Sequence, residues 1–268
     1  MKKKQFKLPN NMQVSYLNRA EVTYTYDEIF VEQVYLKNGI TLERGACVFD
    51  IGANIGMFAM FVKDVCSDSK IYSFEPVPEL YCLLQENTAA YGSDVNTFQI
   101  GISDRESKEI FTYYPNNSFM SGLNNDKEDD KRVLSLHIKG QFQNNNQISE
   151  RLNNQISERL IELAVGNKLQ DSIEFECQLN TISNIMREFD INKIDLLKID
   201  AEKSELQILN GIDFDDWCKI DQIVLEAHTQ EQSDSIISLL KLKNFSVVVE
   251  QEPQLVETEI TNIFAIRG

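Results

Sequence analysis

The pattern of hydrophobic and polar positions predicts an alternation of strands and helices from residue 46 onward. Short runs rich in β-branched and aromatic residues alternate there with segments of helical period. The predicted strands are ACVFDI, KIYSFE, VNTFQIGI, IDLLKID, DQIVLEAH, FSVVVE and TNIFAIR. The predicted helices lie near 55–65, 78–90, 203–210 and 232–242. This order is typical of an α/β fold with a parallel sheet, in which the last two strands are too close in sequence for a helical crossover and should pair antiparallel.

Two segments fall outside this alternation. MQVSYL and the aromatic-rich YTYDEIFVEQVYL precede the first core strand and predict a helical cap over residues 1–45. A variable insert at about 113–170 interrupts the core, residues 46–268, and contains NNQISERL twice, at 145–152 and 153–160. We interpret the duplication as a loosely ordered extension of a lid, with an interaction helix as the alternative.

Length and charge limit the class of protein. A chain of 268 residues with 42% hydrophobic and 25% charged residues has the composition of a soluble globular domain with one sizeable core. Its formal net charge of -16 repels phosphate backbones, so we expect no nucleic-acid partner.

Targeting and redox signals favour the cytoplasm. The basic start MKKKQFKLPN has no apolar segment behind it, and no run approaches the roughly 20 apolar residues of a membrane span. The five cysteines are scattered and form no C-x-x-C pair, so they are predicted to be small core residues in a reducing cytoplasm.

The stretch FDIGANIG places Asp50, Gly52, Asn54 and Gly56 where the first core strand turns into a helix. Glycine permits a tight turn and close approach of a ligand, and the helix amino terminus offers free N–H groups. A phosphate loop would need a following Lys-Ser or Lys-Thr, and a dinucleotide fingerprint would need a third glycine. Glu75 ends the next strand and can accept hydrogen bonds from ribose hydroxyls. The pattern therefore predicts a cofactor with a ribose and no pyrophosphate, which is S-adenosylmethionine, converted to S-adenosylhomocysteine.

Polar residues at the ends of two later strands are candidates for chemistry. Asp200 ends the run IDLLKID, Glu202 lies two residues beyond it, and Glu226 and His228 end the strand IVLEAH. Methyl transfer requires an acceptor oxygen to be positioned and deprotonated. We predict His228 as the general base, with Glu226 on the same strand face to orient it. As a less favoured alternative, Asp200, Glu202, Glu226 and His228 bind a divalent metal.

Several segments resemble a known family. VFDIGANIGMFAMFV, FEPVPELYCLL, IDLLKIDAEKSELQILNGI and QIVLEAH are similar to FkbM-type methyltransferases. YTYDEIF, YYPNNSFMSGL and DWCKIDQIVLEAH resemble the branch found in polyketide and nonribosomal peptide biosynthesis. The likeness runs from about residue 8 to the end and breaks at the duplication. It implies a class I methyltransferase, Rossmann-like, with a seven-stranded sheet whose last strand is antiparallel.

The resemblance also assigns site residues. Lys203 stands where the wider family usually has glycine and the biosynthetic branch has lysine. For Asp104, capping of a turn is the alternative to cofactor binding. Positions assigned to cofactor binding are Asp50, Gly52, Asn54, Gly56 and Glu75, together with Ile102, Ser103 and Asp104 of the IGISD turn beside the adenine. Predicted substrate contacts are Tyr26 and Glu28 in the cap, and Tyr114, Met120 and Ser121 in an aromatic flap.

The predicted function is that of an S-adenosylmethionine-dependent O-methyltransferase. Its acceptor is expected to be a hydroxyl of a polyketide or peptide intermediate, either free or tethered to an acyl or peptidyl carrier protein. A sugar or lipid hydroxyl is the alternative acceptor. A nicotinamide-dependent oxidoreductase and a catalytically silent binding domain are the competing classes.

Overall fold

The computed structural model describes residues 4–123, 125–144, 150–251, 255 and 258–268. Its strands are β1 (Lys4–Lys7), β2 (Gln13–Tyr16), β3 (Cys47–Ile51), β4 (Lys70–Phe74), β5 (Val95–Phe98), β6 (Gly101–Ile102), β7 (Ser107–Tyr113), β8 (Ile173–Asn180), β9 (Leu196–Ile199), β10 (Gln222–Ala227), β11 (Phe245–Glu250) and β12 (Thr261–Arg267). Its α-helices are α1 (Arg19–Tyr26), α2 (Met57–Val65), α3 (Pro78–Thr88), α4 (Lys127–Asn144), α5 (Glu150–Leu169), α6 (Ile182–Glu188), α7 (Glu205–Asn210) and α8 (Gln230–Leu242).

A seven-stranded sheet forms the centre, in the order β11-β12-β10-β9-β3-β4-β5. The neighbours from β10 to β5 run parallel, whereas β12 pairs antiparallel with both β10 and β11. This confirms the predicted α/β class I methyltransferase sheet with its antiparallel last strand. A separate sheet, β6-β8-β7, and the β1-β2 hairpin lie outside it.

The central strands are apolar on both faces because helices cover both sides of the sheet. Neighbouring residues of β3 show this, since Val48 belongs to one apolar cluster and Phe49 to the other. Phe61 of α2 packs in the first cluster, and Ile208 of α7 in the second. Because β10, β9, β3, β4 and β5 run parallel, their carboxyl ends meet at one edge of the sheet, where the candidate site lies.

The structure departs from the predicted elements at several points. The helix expected from residue 203 begins at Glu205, and VNTFQIGI divides into β5 and β6. The β1-β2 hairpin was not predicted, although the cap is helical in α1 and in the π-helical turn Asp27–Val31. Of the cysteines, Cys82 and Cys218 are exposed, so the prediction that all five are core residues is wrong.

The insert contributes α4 and α5 and lies between β7 and β8, which pair antiparallel with each other. The second NNQISERL copy lies within α5, whereas residues 145–149 of the first copy lie outside the described residues. None of the described helices is both long and apolar enough to cross a bilayer.

Candidate functional site

A cavity of about 430 Å³ lies at the carboxyl ends of β3, β4, β9 and β10. Its roof includes α1, residues 117–121 of the flap, and residues of α4 and α5. The predicted residues that line it are Gly52, Asn54, Glu75, Ile102, Asp200, Glu202, Glu226, His228, Glu28, Met120 and Ser121. Positions assigned to the cofactor, the base and the substrate therefore share one cavity. Its volume is within the usual range for small-molecule sites.

Six predicted residues lie outside the cavity lining: Asp50, Gly56, Ser103, Asp104, Tyr26 and Tyr114. Asp104 accepts a hydrogen bond from Gln207 Nε2 at 3.2 Å. Tyr26 stacks on Phe30, with ring centroids 5.1 Å apart. The hydroxyl of the buried Tyr114 donates to Asp130 Oδ2 at 3.0 Å. Asp104, Tyr26 and Tyr114 thus contact other parts of the protein, and the assignment of all six residues to cofactor or substrate binding stays a prediction.

The glycine turn is shaped by the protein's own backbone. Gly52 has a φ of +73°, and a Cβ there would lie 1.7 Å from the carbonyl oxygen of Asp200. Gly56 precedes α2 with a φ of +88°, and a Cβ there would lie 2.8 Å from Leu84 Cδ1. Both glycines are thus required by packing and backbone conformation, before any ligand is considered.

A buried lysine supports this turn from below. Lys198 Nζ donates to the carbonyl oxygens of Gly52 at 2.9 Å and Ile51 at 3.3 Å, and lies 3.2 Å from Asp50 Oδ1. Burial alone would lower the pKa of Lys198, but the charges of Asp50 and Asp200 outweigh it and raise that pKa. Asp50 is therefore the buried counterion of Lys198. Sequence reasoning missed Lys198, and the available signal was a cation inside the apolar run LLKI.

Glu75 forms the opposite wall of the turn. Its Oε2 accepts the N–H of Asn54 and its Oε1 accepts the N–H of Val77, both at 2.8 Å. Burial raises the pKa of Glu75 to about 7. The two backbone bonds fix the carboxyl group while each oxygen keeps capacity for a further hydrogen bond.

Asn54 connects the turn to the roof. Its φ is +50°, and its Nδ2 donates to Ser118 Oγ at 3.0 Å. Ser118 Oγ donates in turn to Glu21 Oε2 at 2.8 Å, and the Ser118 N–H donates to Glu21 Oε1 at 3.0 Å. This chain joins the glycine turn, the flap and α1. Glu21 was missed because Ser118, its partner in this chain of hydrogen bonds, lies far away in sequence.

An acid–imidazole cluster lies at the other end of the cavity and consists of Glu202, Glu205, Glu226 and His228. Glu205 is fully buried, and the other three line the cavity. His228 Nε2 lies 3.6 Å from Glu202 Oε2, 3.7 Å from Glu205 Oε1 and 3.7 Å from Glu226 Oε1. Among the described residues this buried nitrogen has no hydrogen-bond partner. Burial lowers the pKa of His228 to about 4, so the imidazole is neutral at pH 7.

Two acids of the cluster hold their protons more tightly than usual. Burial, with a contribution from the charge of Asp200, raises the pKa of Glu205 to about 8. Burial and the charges of Asp200 and Glu226 raise the pKa of Glu202. Like charges in a desolvated place favour the neutral acid. The cluster therefore binds protons near neutral pH.

Hydrogen bonds hold the inner part of this cluster. Glu205 Oε1 accepts the N–H of Ala201 at 3.3 Å, and Glu205 Oε2 accepts Gln232 Nε2 at 2.8 Å. Gln232 Oε1 accepts a hydrogen bond from the backbone N–H of His228 at 2.8 Å. The fold thus places Glu205, the first residue of α7, against the imidazole.

Tyr35 is a further cavity residue that the sequence did not single out. Its hydroxyl donates to Asp200 Oδ2 at 3.2 Å, which links the cap to the end of β9. Within the described part of the chain, no group of three or more His, Cys, Asp or Glu side chains has an arrangement that could hold a metal ion. Asp200, Glu202, Glu226 and His228, the residues of the metal alternative, thus form no such group.

The loop between β9 and α7 has an unusual backbone. Glu202 and Lys203 have φ values of +44° and +69°. The left-handed conformation costs a residue with a side chain roughly 1–2 kcal/mol, and glycine adopts it readily. This explains both the late start of α7 and the glycine expected at position 203 in the wider family.

Comparison with known proteins decides the family. The sequence model of the methyltransferase FkbM domain family matches residues 50–247. The chain belongs to the FkbM methyltransferase family. The match contains both the glycine turn and the acid–imidazole cluster, so the two halves of the cavity belong to one family domain.

Two relatives of this FkbM-family protein match nearly its whole length. AMB antimetabolite synthetase AmbE of Pseudomonas aeruginosa is 33% identical, over 97% of this chain and 12% of AmbE. The 31-O-demethyl-FK506 methyltransferase FkbM of Streptomyces tacrolimicus is 32% identical, over 97% of this chain and 96% of that protein. Among solved structures, precorrin-6y C5,15-methyltransferase of Geobacter metallireducens is similar with a TM-score of 0.46 and 11% identity, over 89% of this chain and 88% of that one.

Proposed function

We propose that this FkbM-family protein is an S-adenosylmethionine-dependent O-methyltransferase. The observation that carries the proposal is one cavity with two unlike ends. One end has the glycine turn and the fixed carboxyl group of Glu75; the other has the buried, neutral His228, whose Nε2 has no partner in the described structure. A cofactor wall and a proton acceptor facing one space are what methyl transfer to a hydroxyl needs.

The residues present fit the cofactor. Glu75 would hold the ribose hydroxyls, the backbone of residues 52–55 would face the methionine end, and Phe74, Ile100 and Ile102 offer an apolar wall for the adenine. The carboxylates of Asp200 and Glu226 line the same cavity and suit a sulfonium cation. When bound, the cofactor supplies an electrophilic methyl carbon.

Side chains of the protein would remove the proton from the acceptor hydroxyl. A hydroxyl oxygen that gains a methyl group must lose its hydrogen. His228 Nε2 is neutral at pH 7 and can accept that proton, and the carboxyl group of Glu226 lies 3.7 Å away, where its charge would stabilise the imidazolium that results. Glu205 is fully buried, and its Oε1 lies 3.7 Å from His228 Nε2. In this mechanism His228 is the general base and the three acids act through it.

We further propose that the acceptor is a hydroxyl of a polyketide or peptide natural product, either free or on a carrier protein. The support comes from the relatives. FkbM of Streptomyces tacrolimicus is named for methylation of 31-O-demethyl-FK506, and this chain covers nearly all of it. AmbE is named as an antimetabolite synthetase, and this chain spans 12% of its length, so both a free enzyme and a unit of a larger one have precedent.

The test separates binding from chemistry. Calorimetry should detect binding of S-adenosylmethionine and S-adenosylhomocysteine and none of NAD. His228→Ala should keep that binding and lose roughly 10²–10⁴-fold in methyl transfer to free and carrier-bound hydroxyacyl substrates. Glu231→Gln, an exposed acid of α8, is the control and should change neither. Binding of NAD alone, or unchanged transfer by His228→Ala, would contradict the proposal.

A further inference from the structure

We propose that Lys203 is a positioning residue that ties the roof of the cavity to the loop carrying Glu202. This inference rests on the proposed function, because it assigns Lys203 a part in arranging that same site. Two independent features carry it: an ion pair between segments far apart in sequence, and a backbone conformation that favours glycine.

The ion pair joins the loop to the start of α4. Lys203 Nζ lies 2.8 Å from Asp129 Oδ2 and 2.9 Å from Asp130 Oδ1. Asp130 is fully buried and also accepts hydrogen bonds from Tyr114 and Asn125, each at 3.0 Å. A buried carboxylate with three donors from three segments is a fixed anchor, unlike an exposed surface pair.

This anchor determines how far α4 lies from the central sheet across the cavity. Val133 and Leu134 line the cavity one turn along α4 from Asp129 and Asp130. The helix therefore cannot move away from the sheet without breaking both contacts of Lys203. On the other side of the tie, Glu202 lies 3.6 Å from His228 Nε2.

The backbone of the loop is independently constrained. The carbonyl oxygen of Lys203 accepts Gln232 Nε2 at 3.2 Å, and a Cβ on Gly122 would lie 3.1 Å from the carbonyl oxygen of Glu202. The left-handed conformation at φ +69° is thus imposed by neighbours that hold the main chain. Glycine would satisfy this backbone with less strain, so the lysine is explained by what its side chain binds.

These two requirements can be separated by substitution. Lys203→Gly keeps a suitable backbone and removes the cation, Lys203→Ala removes the cation and keeps the strain, and Lys203→Arg keeps the cation. Lys131→Ala is the matched control, because Lys131 lies on α4 and pairs with Glu128 of the same helix. Each of the four variants replaces a single lysine, either Lys203 or Lys131.

Two measurements test the tie. Hydrogen exchange of the amides in residues 127–134 reports the roof directly, and the dissociation rate of S-adenosylhomocysteine reports the cavity. Lys203→Gly should be at least as stable to urea as Lys203→Ala, yet both should exchange faster at the start of α4 and release the ligand on the order of tenfold faster. Lys203→Arg should restore most of the wild-type behaviour, and Lys131→Ala should match the wild type.

Kinetics with a working acceptor give a third test, in which Lys203→Gly should raise the KM for the acceptor more than it lowers kcat. Wild-type exchange and ligand release in Lys203→Gly would overturn the inference, as would an arginine variant that behaves like the glycine variant. If the wild type fails to bind S-adenosylhomocysteine, the proposed function fails instead, and the exchange measurement still decides the role of Lys203.

Discussion

The two ends of the cavity differ in how their polar groups are bound: the glycine turn with Glu75 forms the proposed cofactor end, and the cluster around His228 forms the proposed acceptor end. At the cofactor end, Glu75 receives two backbone N–H groups, and Lys198 is held by two carbonyl oxygens and Asp50. At the acceptor end, His228 Nε2 faces three carboxyl groups at 3.6–3.7 Å, which is too far for a hydrogen bond. At the cofactor end the protein itself therefore binds Glu75 and Lys198, whereas at the acceptor end His228 Nε2 keeps hydrogen-bonding capacity that a substrate would use.

The largest expected effect tests whether the protein's own packing dictates the glycine turn. Gly52→Ala would place a Cβ 1.7 Å from the Asp200 carbonyl oxygen and should destabilise the fold by more than about 5 kcal/mol or prevent folding. Gly45→Ala is the control, because Gly45 has the same φ of +73° and no atom within 4 Å of the added Cβ. It should cost roughly 1–2 kcal/mol in urea unfolding. Equal losses would show that backbone strain alone explains both.

A second substitution tests the ion pair beneath the turn. Lys198→Met removes the cation and leaves Asp50 buried without it, which should cost about 3–5 kcal/mol of stability in urea unfolding. Lys193→Met is the control, since Lys193 forms its ion pairs at the exposed surface. If Lys198→Met is as stable as Lys193→Met, the cofactor end does not depend on this charge.

The smallest effect concerns the proton held by Glu205. Its folded-state pKa of about 8 lies above the ordinary 4.5, so the native state keeps a proton that the unfolded state has lost, and stability should fall as pH rises from 4.5 to 8. His228, with its pKa lowered to about 4, acts oppositely between pH 4 and 6.5. Glu205→Gln should therefore flatten the decline between pH 6.5 and 8 by at most about 2 kcal/mol.

Denaturation of wild type and variant across that pH window checks this, with Glu231→Gln as the exposed control. An unchanged slope in Glu205→Gln would mean that Glu205 is ionised in the folded protein. The acceptor end would then hold a charged carboxylate beside His228, and its proton would not contribute to stability.

Much of the fold was predictable from sequence because strand periodicity and apolar runs are local signals. The strand predicted as FSVVVE appears unchanged as Phe245–Glu250, and TNIFAIR as Thr261–Arg267. Position at a strand end also brought Glu75 and His228 to one edge of the sheet. The β1-β2 hairpin was missed because four-residue strands carry too little pattern.

The sequence by itself determined the sheet, the family and the polar residues at the strand ends, since each is encoded within a few neighbouring positions. Only the tertiary structure decided what these residues contact. Asp50 became the partner of Lys198, Glu205 came against His228, and Lys203 reached Asp130. Such contacts join residues that are distant in the chain, and burial then alters their charge, so neither is visible in a local pattern.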